Sequence, residues 1–470
     1  MLTHILFKEV FHLDSINAVI LAAGEGKRMK SKHPKVSHKV CGKPIIQHVI
    51  DSVHLAGLKK VVVVVGHKAD EVKKCIGTDV DFVLQSEQLG TGHAVICASE
   101  YIKEGIDYTL VLTGDTPLIT GETLSSFVEF HKKNKLNATI LTSDFEDPTG
   151  YGRIVRNSDE SVEKIVEHKD ASEDEKKIKE INSGMFCFNT KDLIKALNKI
   201  NNNNAQGEYY LTDVIEIMER DGLSIGAYKI ENPTEIMGIN DRTQLACAEK
   251  VMRHRILNNL MINGVTIMDP DSTYIEKDAF IGADTVVYPN TIIEGNTVIG
   301  EDCIIGPNSR IVDSTVHDLV EINNSVVLKS EVKKETHVGP FAYIRPESLI
   351  GSNVKIGDFV EIKKSTIGDG TKVSHLTYVG DSEVGRNVNF GCGTVTVNYN
   401  GKNKNKTIIG DNAFIGCNTN LVAPVKVGND AYTAAGSTIT REVPDGALAV
   451  ARERQVNKEG WVERKGLKRK

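Results

Sequence analysis

No CxxC pair occurs among the eight cysteines, which are scattered at positions 41, 75, 97, 187, 247, 303, 392 and 417. That absence argues against a zinc knuckle and against a disulfide scaffold, and it fits a reducing compartment. No apolar run is long enough to span a membrane. The N-terminal stretch is broken by Lys8, Glu9 and Asp14 before a signal-like core develops. By elimination the sequence predicts a cytoplasmic protein, with residues 1–16 a short extension ahead of the first strand. Positive charge is not in excess either. A formal net charge of -6 gives nucleic acid no electrostatic footing, so the expected partners are small molecules or other protein chains. Tryptophan occurs once, and twelve prolines stand against forty glycines. Otherwise the 470 residues, 40% hydrophobic and 26% charged, suit a globular chain with two or more cores.

The glycines are periodic, and the period divides the chain. Over 17–240, short β-branched runs (17–21, 60–65, 82–84 and 108–112) alternate with helix-like stretches such as 45–58. That pattern predicts an α/β domain with a mostly parallel sheet. Over 241–265 the period becomes three and four. Leu245, Ala248, Met252, Ile256 and Leu260 share one stripe and Gly264 suits the C-terminal cap, which predicts one long connector helix.

From 266 to 442 the period is six. An inward residue followed by glycine recurs at Ile281, Ile299, Ile305, Val338, Ile350 and Ile356, and again at Ile367, Val379, Phe390, Ile409, Ile415 and Val427. Each repeat supplies one flat face of a parallel β-helix, with three faces to a coil and on the order of ten coils of about 18 residues. Spacing alone leaves the handedness open. Residues 443–470 form a basic arm (Arg452, Arg454, Lys458, Arg464, Lys465, Lys468, Arg469 and Lys470) that holds the one tryptophan, Trp461; a solvated terminus is the plain reading of it.

Candidate chemistry clusters in three places. Leu-Ala-Ala-Gly-Glu-Gly-Lys-Arg-Met at 21–29 follows the first strand directly. Gly24 and Gly26 let backbone approach a ligand, while Arg28 and Lys35 carry the charge a triphosphate needs; a generic turn with solvated basic residues is the alternative. Asp115, after a buried strand, reads either as a turn or cap residue or as a metal ligand, and Asn240 either caps the connector helix or joins Asp115 on a hard divalent ion. His375 breaks the hexapeptide frame beside Tyr378, Asn389, Asn398 and Tyr399. A histidine there is filler, or it is the base that takes a proton from an amine attacking a thioester.

The whole constellation is more specific than its parts. The 21–29 loop and Pro34-Lys35-Val36 are followed by Gln-Ser-Glu-Gln-Leu-Gly-Thr-Gly at 85–92 and Gly114-Asp115. Further on come Thr-Gly-Tyr-Gly-Arg at 149–153, Val-Glu-His-Lys-Asp at 166–170, Glu-Ile-Asn-Ser-Gly at 180–184 and Gly-Glu-Tyr-Tyr-Leu-Thr-Asp at 207–213. This set resembles the sugar-nucleotide pyrophosphorylases, and within them the bifunctional bacterial family of UDP-N-acetylglucosamine pyrophosphorylase/glucosamine-1-phosphate N-acetyltransferases. Only the N-terminal extension lies outside the resemblance.

The resemblance implies a Rossmann-like nucleotidyltransferase domain at 17–240, a helical linker at 241–265, a left-handed parallel β-helix at 266–442 and an arm at 443–470. It implies UTP and acetyl-CoA as co-substrates, Mg²⁺ on Asp115 and Asn240, a homotrimer, and a product that feeds peptidoglycan and lipopolysaccharide precursors. The uridylyl site it implies comprises Leu21, Ala22, Ala23, Gly24, Arg28 and Lys35, with Gln85, Gly90 and Thr91 at uracil. Thr113, Gly114 and Asp115 follow, with Gly152, Glu167, Asn182, Tyr210 and Thr212 at the sugar and Asn240 beyond them. Arg28 and Lys35 are its catalytic cations.

On the β-helix the resemblance makes His375 the general base and places Arg345, Lys363, Tyr378 and Asn389 on the sugar phosphate. Glu361 becomes a candidate for polarising His375 or positioning the amine. Acetyl-CoA is expected near Cys392, Asn398, Tyr399, Lys404, Cys417, Ala435 and Arg452, and the arm near a neighbouring subunit's CoA. Cys392 and Cys417 replace residues that are commonly alanine and serine, which predicts a thiol-sensitive acetyl-transfer site. Two rival readings remain at this point: a nucleotidyltransferase whose β-helix only regulates or assembles, and a non-catalytic repeat scaffold.

Overall fold

The computed structural model describes residues 15–77, 79–103 and 105–467; most of the extension expected at 1–16, and the last three residues of the basic arm, lie outside them. By internal contacts the chain forms two compact units that divide between Met252 and Arg253.

The first unit is built on β1 (Ile16–Ala22), β2 (Lys60–Val65), β3 (Asp81–Leu84), β4 (Tyr108–Thr113), β5 (Ala138–Asp144), β6 (Gly152–Arg156), β7 (Val162–Val166), β8 (Glu180–Asn189) and β9 (Ile225–Lys229). The main sheet runs β9-β5-β8-β4-β1-β2-β3, with the β6–β7 hairpin paired to β8. β1 lies parallel to both β2 and β4. The main sheet is mostly parallel, as expected: β1, β2, β3, β4, β5 and β9 run one way, and β8 alone is reversed, antiparallel between β4 and β5. A fully buried strand shows the same apolar run in either direction, so the sequence could not report this reversal.

Alternation along the strands splits the core in two. Ala18 and Ile20 of β1 face one layer with Ile46, Val49 and Val53 of α1 (Ile45–Leu55), with Val72 of α2 (Ala69–Lys74) and with Phe127 of α4 (Gly121–Lys133). Val19 faces the other layer with Val95 of α3 (Thr91–Cys97), Leu193 of α5 (Thr190–Leu197) and Val214 of α6 (Asp213–Arg220). Each fully buried aliphatic side chain of this kind contributes roughly 1.5–3 kcal/mol. Chain order reverses at β1, whose neighbours β2 and β4 lie on opposite sides. The crevice beyond the carboxyl ends of β1 and β4 is therefore the place where such sheets bind ligands.

Helix α7 (Arg242–Ile262) is the expected connector, and Gly264 ends it with φ +97°. Ala248 and Met252 are buried, but further along it is Leu257, not Ile256, that is fully buried. The reason is that the last turns join the core of the second unit through Leu257 and Leu260.

The second unit consists of three parallel sheets of 11, 10 and 9 short strands, a parallel β-helix. Ile281, Ile299, Ile305, Ile350, Ile356, Ile367 and Val427 all point into one continuous core. The glycines after them are set by stacking: a Cβ at Gly368 would lie 2.4 Å from the carbonyl oxygen of Gly385 on the next coil. Corners are turned largely by Asn and Asp in the left-handed region, such as Asn290, Asp302, Asn353 and Asp430. Between Phe390 and its ladder partner Ile415 the step lengthens to admit the loop containing Tyr399 and Lys404, which pair with each other as an antiparallel bridge.

Candidate active sites

A cleft of about 620 Å³ opens at the expected switch point, lined by Leu21, Ala22, Ala23, Gly24, Arg28, Lys35, Gln85, Gly90, Thr91, Thr113, Asp115 and Asn240. Gly26 takes a left-handed conformation, and a Cβ on it would sit 2.6 Å from the Cβ of Lys35. Its bareness is what lets the loop after β1 close onto the turn that carries Lys35. Gly114 plays the same part just beyond β4, where an added Cβ would meet the Leu21 carbonyl oxygen at 2.9 Å. Gln85 is buried and held through its amide, 3.0 Å from the Gly90 carbonyl and 3.1 Å from His93 Nδ1.

The two readings of Asp115 and Asn240 are now separable. Thr116 turns back onto the Thr113 carbonyl at 2.9 Å, so the turn does not use the Asp115 side chain. Asp241, not Asn240, caps α7, accepting from the Gln244 N–H at 2.9 Å. The Ile239 N–H donates to the Asp115 carbonyl at 3.0 Å, which draws the two segments together. The Asp115 carboxylate then ion-pairs with Lys35, whose ammonium also donates to Asn240 Oδ1 at 3.1 Å. Two oxygens converging on one cationic point fit a hard divalent ion, with the lysine ammonium standing in for it.

Gly152, Glu167, Asn182, Tyr210 and Thr212 do not line that cleft, but the fold does group most of them. Asn182 of β8 pairs in register with Gly152 of β6. The ladder of β8 shifts register beyond Asn182, where Gly184 has φ +77°. Thr212 Oγ1 lies 3.4 Å from Glu167 Oε1, and burial raises the Glu167 pKa. Tyr210 is buried, with its hydroxyl 2.7 Å from Gln206. Gln88 and Glu208 line the cleft without having been expected. Their motifs, 85–92 and 207–213, were the available signal, since the Tyr209 N–H donates to the Leu89 carbonyl at 2.8 Å and ties the two together.

On the β-helix, Lys363 Nζ lies 2.9 Å from Asp381 Oδ2, and Asn398 bonds the same carboxylate. Asn398 also reaches the Tyr378 hydroxyl at 3.3 Å. Lys404 comes close enough to Lys363 that repulsion pushes its pKa down, with Arg345 adding to the effect. Three cations thus share two carboxylates, Asp381 and the Glu361 that accepts from Arg345, and the remaining positive charge calls for a further anion. Asn398 and Lys404, expected beside acetyl-CoA, accordingly stand with the residues expected at the sugar phosphate. Asn389 stands apart on another sheet, in register with Lys372 and Phe414.

Glu361 is committed to Arg345, whose Nη1 lies 2.8 Å from its Oε1. The carboxylate that does meet His375 is Asp358, with Oδ1 2.7 Å from Nδ1. Sequence reasoning missed it, because this coil is 17 residues long and counting back about 18 from the histidine passes it by. The ladder pairs Val373 with Phe390, Phe390 with Ile415, and Ile415 with Thr433. Two residues beyond each lie His375, Cys392, Cys417 and Ala435, one above another on successive coils. Arg452 closes the end of this column, its Cδ 3.7 Å from where a Gly436 Cβ would be. No disulfide joins any of the eight cysteines.

A glycine-rich loop and an acidic residue at a sheet switch point, followed by hexapeptide coils, define a nucleotidyltransferase joined to a hexapeptide-repeat transferase. Residues 17–231 match the nucleotidyl transferase family, and residues 278–313 and 406–441 match the bacterial transferase hexapeptide (six repeats) family. Residues 328–415 match the GMPPB C-terminal domain. A "Bifunctional protein GlmU" of Acetivibrio thermocellus is 62% identical, covering 97% of this chain and 99% of the relative. Those of Clostridium kluyveri and Clostridium botulinum are 60% and 58% identical, each covering 96% of this chain and 99% of the relative. The chain belongs to this bifunctional GlmU family, and its second unit is the left-handed form of the parallel β-helix.

Proposed function

We propose that the chain makes UDP-N-acetylglucosamine in two steps at separate sites. The β-helix moves acetyl from acetyl-CoA to glucosamine-1-phosphate, and the α/β unit then joins the N-acetylated sugar phosphate to UMP from UTP. The carrying observation is that each unit holds polar clusters of the right kind: Lys35 between Asp115 and Asn240 in the first, and in the second His375 on a carboxylate together with a grouping of Lys363, Lys404 and Arg345.

In the uridylyl step a phosphate oxygen of the sugar attacks the α-phosphorus in line, and pyrophosphate leaves. The attacking group is already an anion, so no protein base is needed. Arg28 and Lys35 neutralise charge, Gln85, Gly90 and Thr91 take the uracil, and Gly152, Glu167, Asn182, Tyr210 and Thr212 orient the sugar. Asp115 and Asn240 would hold Mg²⁺, which supplies further charge neutralisation across the phosphates. In the acetyl step Arg345, Lys363 and Lys404 take the sugar phosphate with Tyr378 and Asn398, while Asn389, on the sheet that carries His375, meets another part of the substrate. Acetyl-CoA lies along the Cys392, Cys417 and Ala435 column toward Arg452, and Tyr399 extends over it. Both co-substrates are cytoplasmic metabolites, which places the reaction in the cytoplasm, where its product supplies cell-wall precursors.

A homotrimer completes this reading. Phe341, Phe359 and Leu376 repeat on three successive coils with φ of 58°, 56° and 45°. All three are more than half exposed, and the two phenyl rings stack at 5.4 Å. Bulky side chains in the left-handed region cost roughly 1–3 kcal/mol each, and an apolar ladder left in water marks an interaction surface. Leu376 follows His375 directly, so subunits packed on this ladder close the acetyl-transfer sites between them. Trp461, Val462 and Leu467 of the exposed arm add apolar surface for a neighbour.

The test supplies glucosamine-1-phosphate, acetyl-CoA, UTP and Mg²⁺ and follows CoA and pyrophosphate release separately. Both are expected. Release of one without the other reduces the chain to a single activity.

A further inference from the structure

We propose that Asp358 is the positioning residue for acetyl transfer: it holds His375 through Nδ1 and leaves Nε2 as the base. This rests on the reading of His375 as the base that serves the amine.

The contact is built into the repeat. Asp358 and His375 are ladder partners on adjacent coils, and the Leu376 N–H donates to the Asp358 carbonyl at 3.0 Å. The Thr377 hydroxyl donates to the His375 carbonyl at 2.7 Å. The next residues, Phe359 and Leu376, both adopt the left-handed conformation, so the two corners turn alike and the side chains leave them in parallel. Asp358 Oδ1 then meets Nδ1 at 2.7 Å. The other nearby carboxylates are engaged elsewhere: Glu361 on Arg345, and Asp381 on Lys363.

The hydrogen bond from His375 holds the Asp358 carboxyl below its usual range, so it is a carboxylate at neutral pH and only accepts. Nδ1 must therefore carry hydrogen, and the lone pair of the neutral ring falls on Nε2. As the amine nitrogen bonds to the acetyl carbon, its proton passes to Nε2 and the imidazolium is stabilised by Asp358. The carbon–sulfur bond then breaks, and the proton returns from Nε2 to the CoA sulfur. Asp358 moves no proton; it fixes which nitrogen does.

Steady-state kinetics of the full-length chain separates this role from its rivals, with KM for the acetyl-transfer substrates as the control for the β-helix and uridylyl transfer as the control for the first unit. Asp358→Asn keeps size and can still accept from Nδ1–H, but it loses the charge; kcat for acetyl transfer is expected to fall about tenfold. Asp358→Ala removes both, and the expected fall is about 100-fold. In each, KM for glucosamine-1-phosphate and for acetyl-CoA stays within about threefold. Loss of uridylyl transfer in the alanine variant would transfer the test to the asparagine variant alone. Unchanged kcat overturns the proposal. So does a raised KM for the amino sugar at unchanged kcat, which would make Asp358 a substrate contact instead. His375→Ala distinguishes the underlying reading, because acetyl transfer that survives it removes the base itself, whatever Asp358 does.

Discussion

The Lys35 ammonium sits between the Asp115 carboxylate and the Asn240 side-chain carbonyl, 3.1 Å from the latter. A lysine ammonium and a divalent ion would satisfy the same two oxygens, so the two compete for them until substrate draws the lysine toward phosphate. Removing a charge at this separation changes ion binding substantially even at a surface-like dielectric. Lys35→Ala is therefore expected to tighten Mn²⁺ binding to the substrate-free protein about tenfold while kcat/KM for uridylyl transfer falls about 100-fold. Calorimetry reads the first and pyrophosphate release the second. Unchanged Mn²⁺ affinity would show that the ammonium does not hold this position in solution.

His131 ties α4 to β5, with Nδ1 2.7 Å from Thr139 Oγ1. Burial, helped by the adjacent Lys132 charge, lowers its pKa to about 4. Between the ordinary histidine value and that one, the unfolded chain takes up a proton that the native chain refuses. The associated stability is complete above about pH 6.5 and is lost as pH falls toward 4, by about 3 kcal/mol at most. His131→Gln, with no proton to take up, is expected to show a shallower fall in urea-unfolding free energy across this window. An equally steep fall would assign the acid lability to other groups.

The two periods were legible because each reflects a local rule: strand and helix alternation for a layered sheet, sixes for a coil face. The cleft of the first unit was legible because the loop after β1 and the motif at 85–92 are each contiguous and the switch point brings them together. What stayed hidden depends on register between distant segments. Coil lengths vary, so the neighbour of His375 can be named only once the ladder pairs Lys355 with Lys372. Glu361, the carboxylate the sequence offers for His375 or for the amine, meets Arg345 instead of the histidine. Nothing in a loop's composition says which face it folds across; Asp381, unremarked in the sequence, draws Asn398 to Lys363.

Asp381 also bears on substrate choice. Lys363 bonds it at 2.9 Å while Lys404 and Arg345 stand near, so the cluster has more positive charge than it neutralises. A phosphate on the sugar answers that excess through charge-assisted hydrogen bonds. Lys363→Ala is expected to lower kcat/KM about 100-fold for glucosamine-1-phosphate, yet less than threefold for unphosphorylated glucosamine. CoA release with both acceptors measures this. Equal losses would mean that Lys363 shapes the site without reading the phosphate.

Cys392 and Cys417 stand on successive coils above His375; Cys392 is half-buried and Cys417 exposed. The Asn418 N–H donates to the Cys392 carbonyl at 2.7 Å, which locks the two corners in step. If the thioester of acetyl-CoA reaches down this column to His375, a bulky adduct on the outer sulfur obstructs it. Treatment with a maleimide is expected to lower acetyl transfer at least about tenfold and to spare uridylyl transfer, because the two sites lie in separate units. Excess acetyl-CoA should slow the loss by covering the thiol. Cys247 is also exposed, so a Cys417→Ser variant, compared with its own untreated rate, identifies the sulfur responsible: its acetyl transfer should no longer respond to the reagent. If wild-type protein labelled at Cys417 transfers acetyl at full rate, acetyl-CoA follows another face of the β-helix, and only His375 and its cation cluster remain assigned to that reaction.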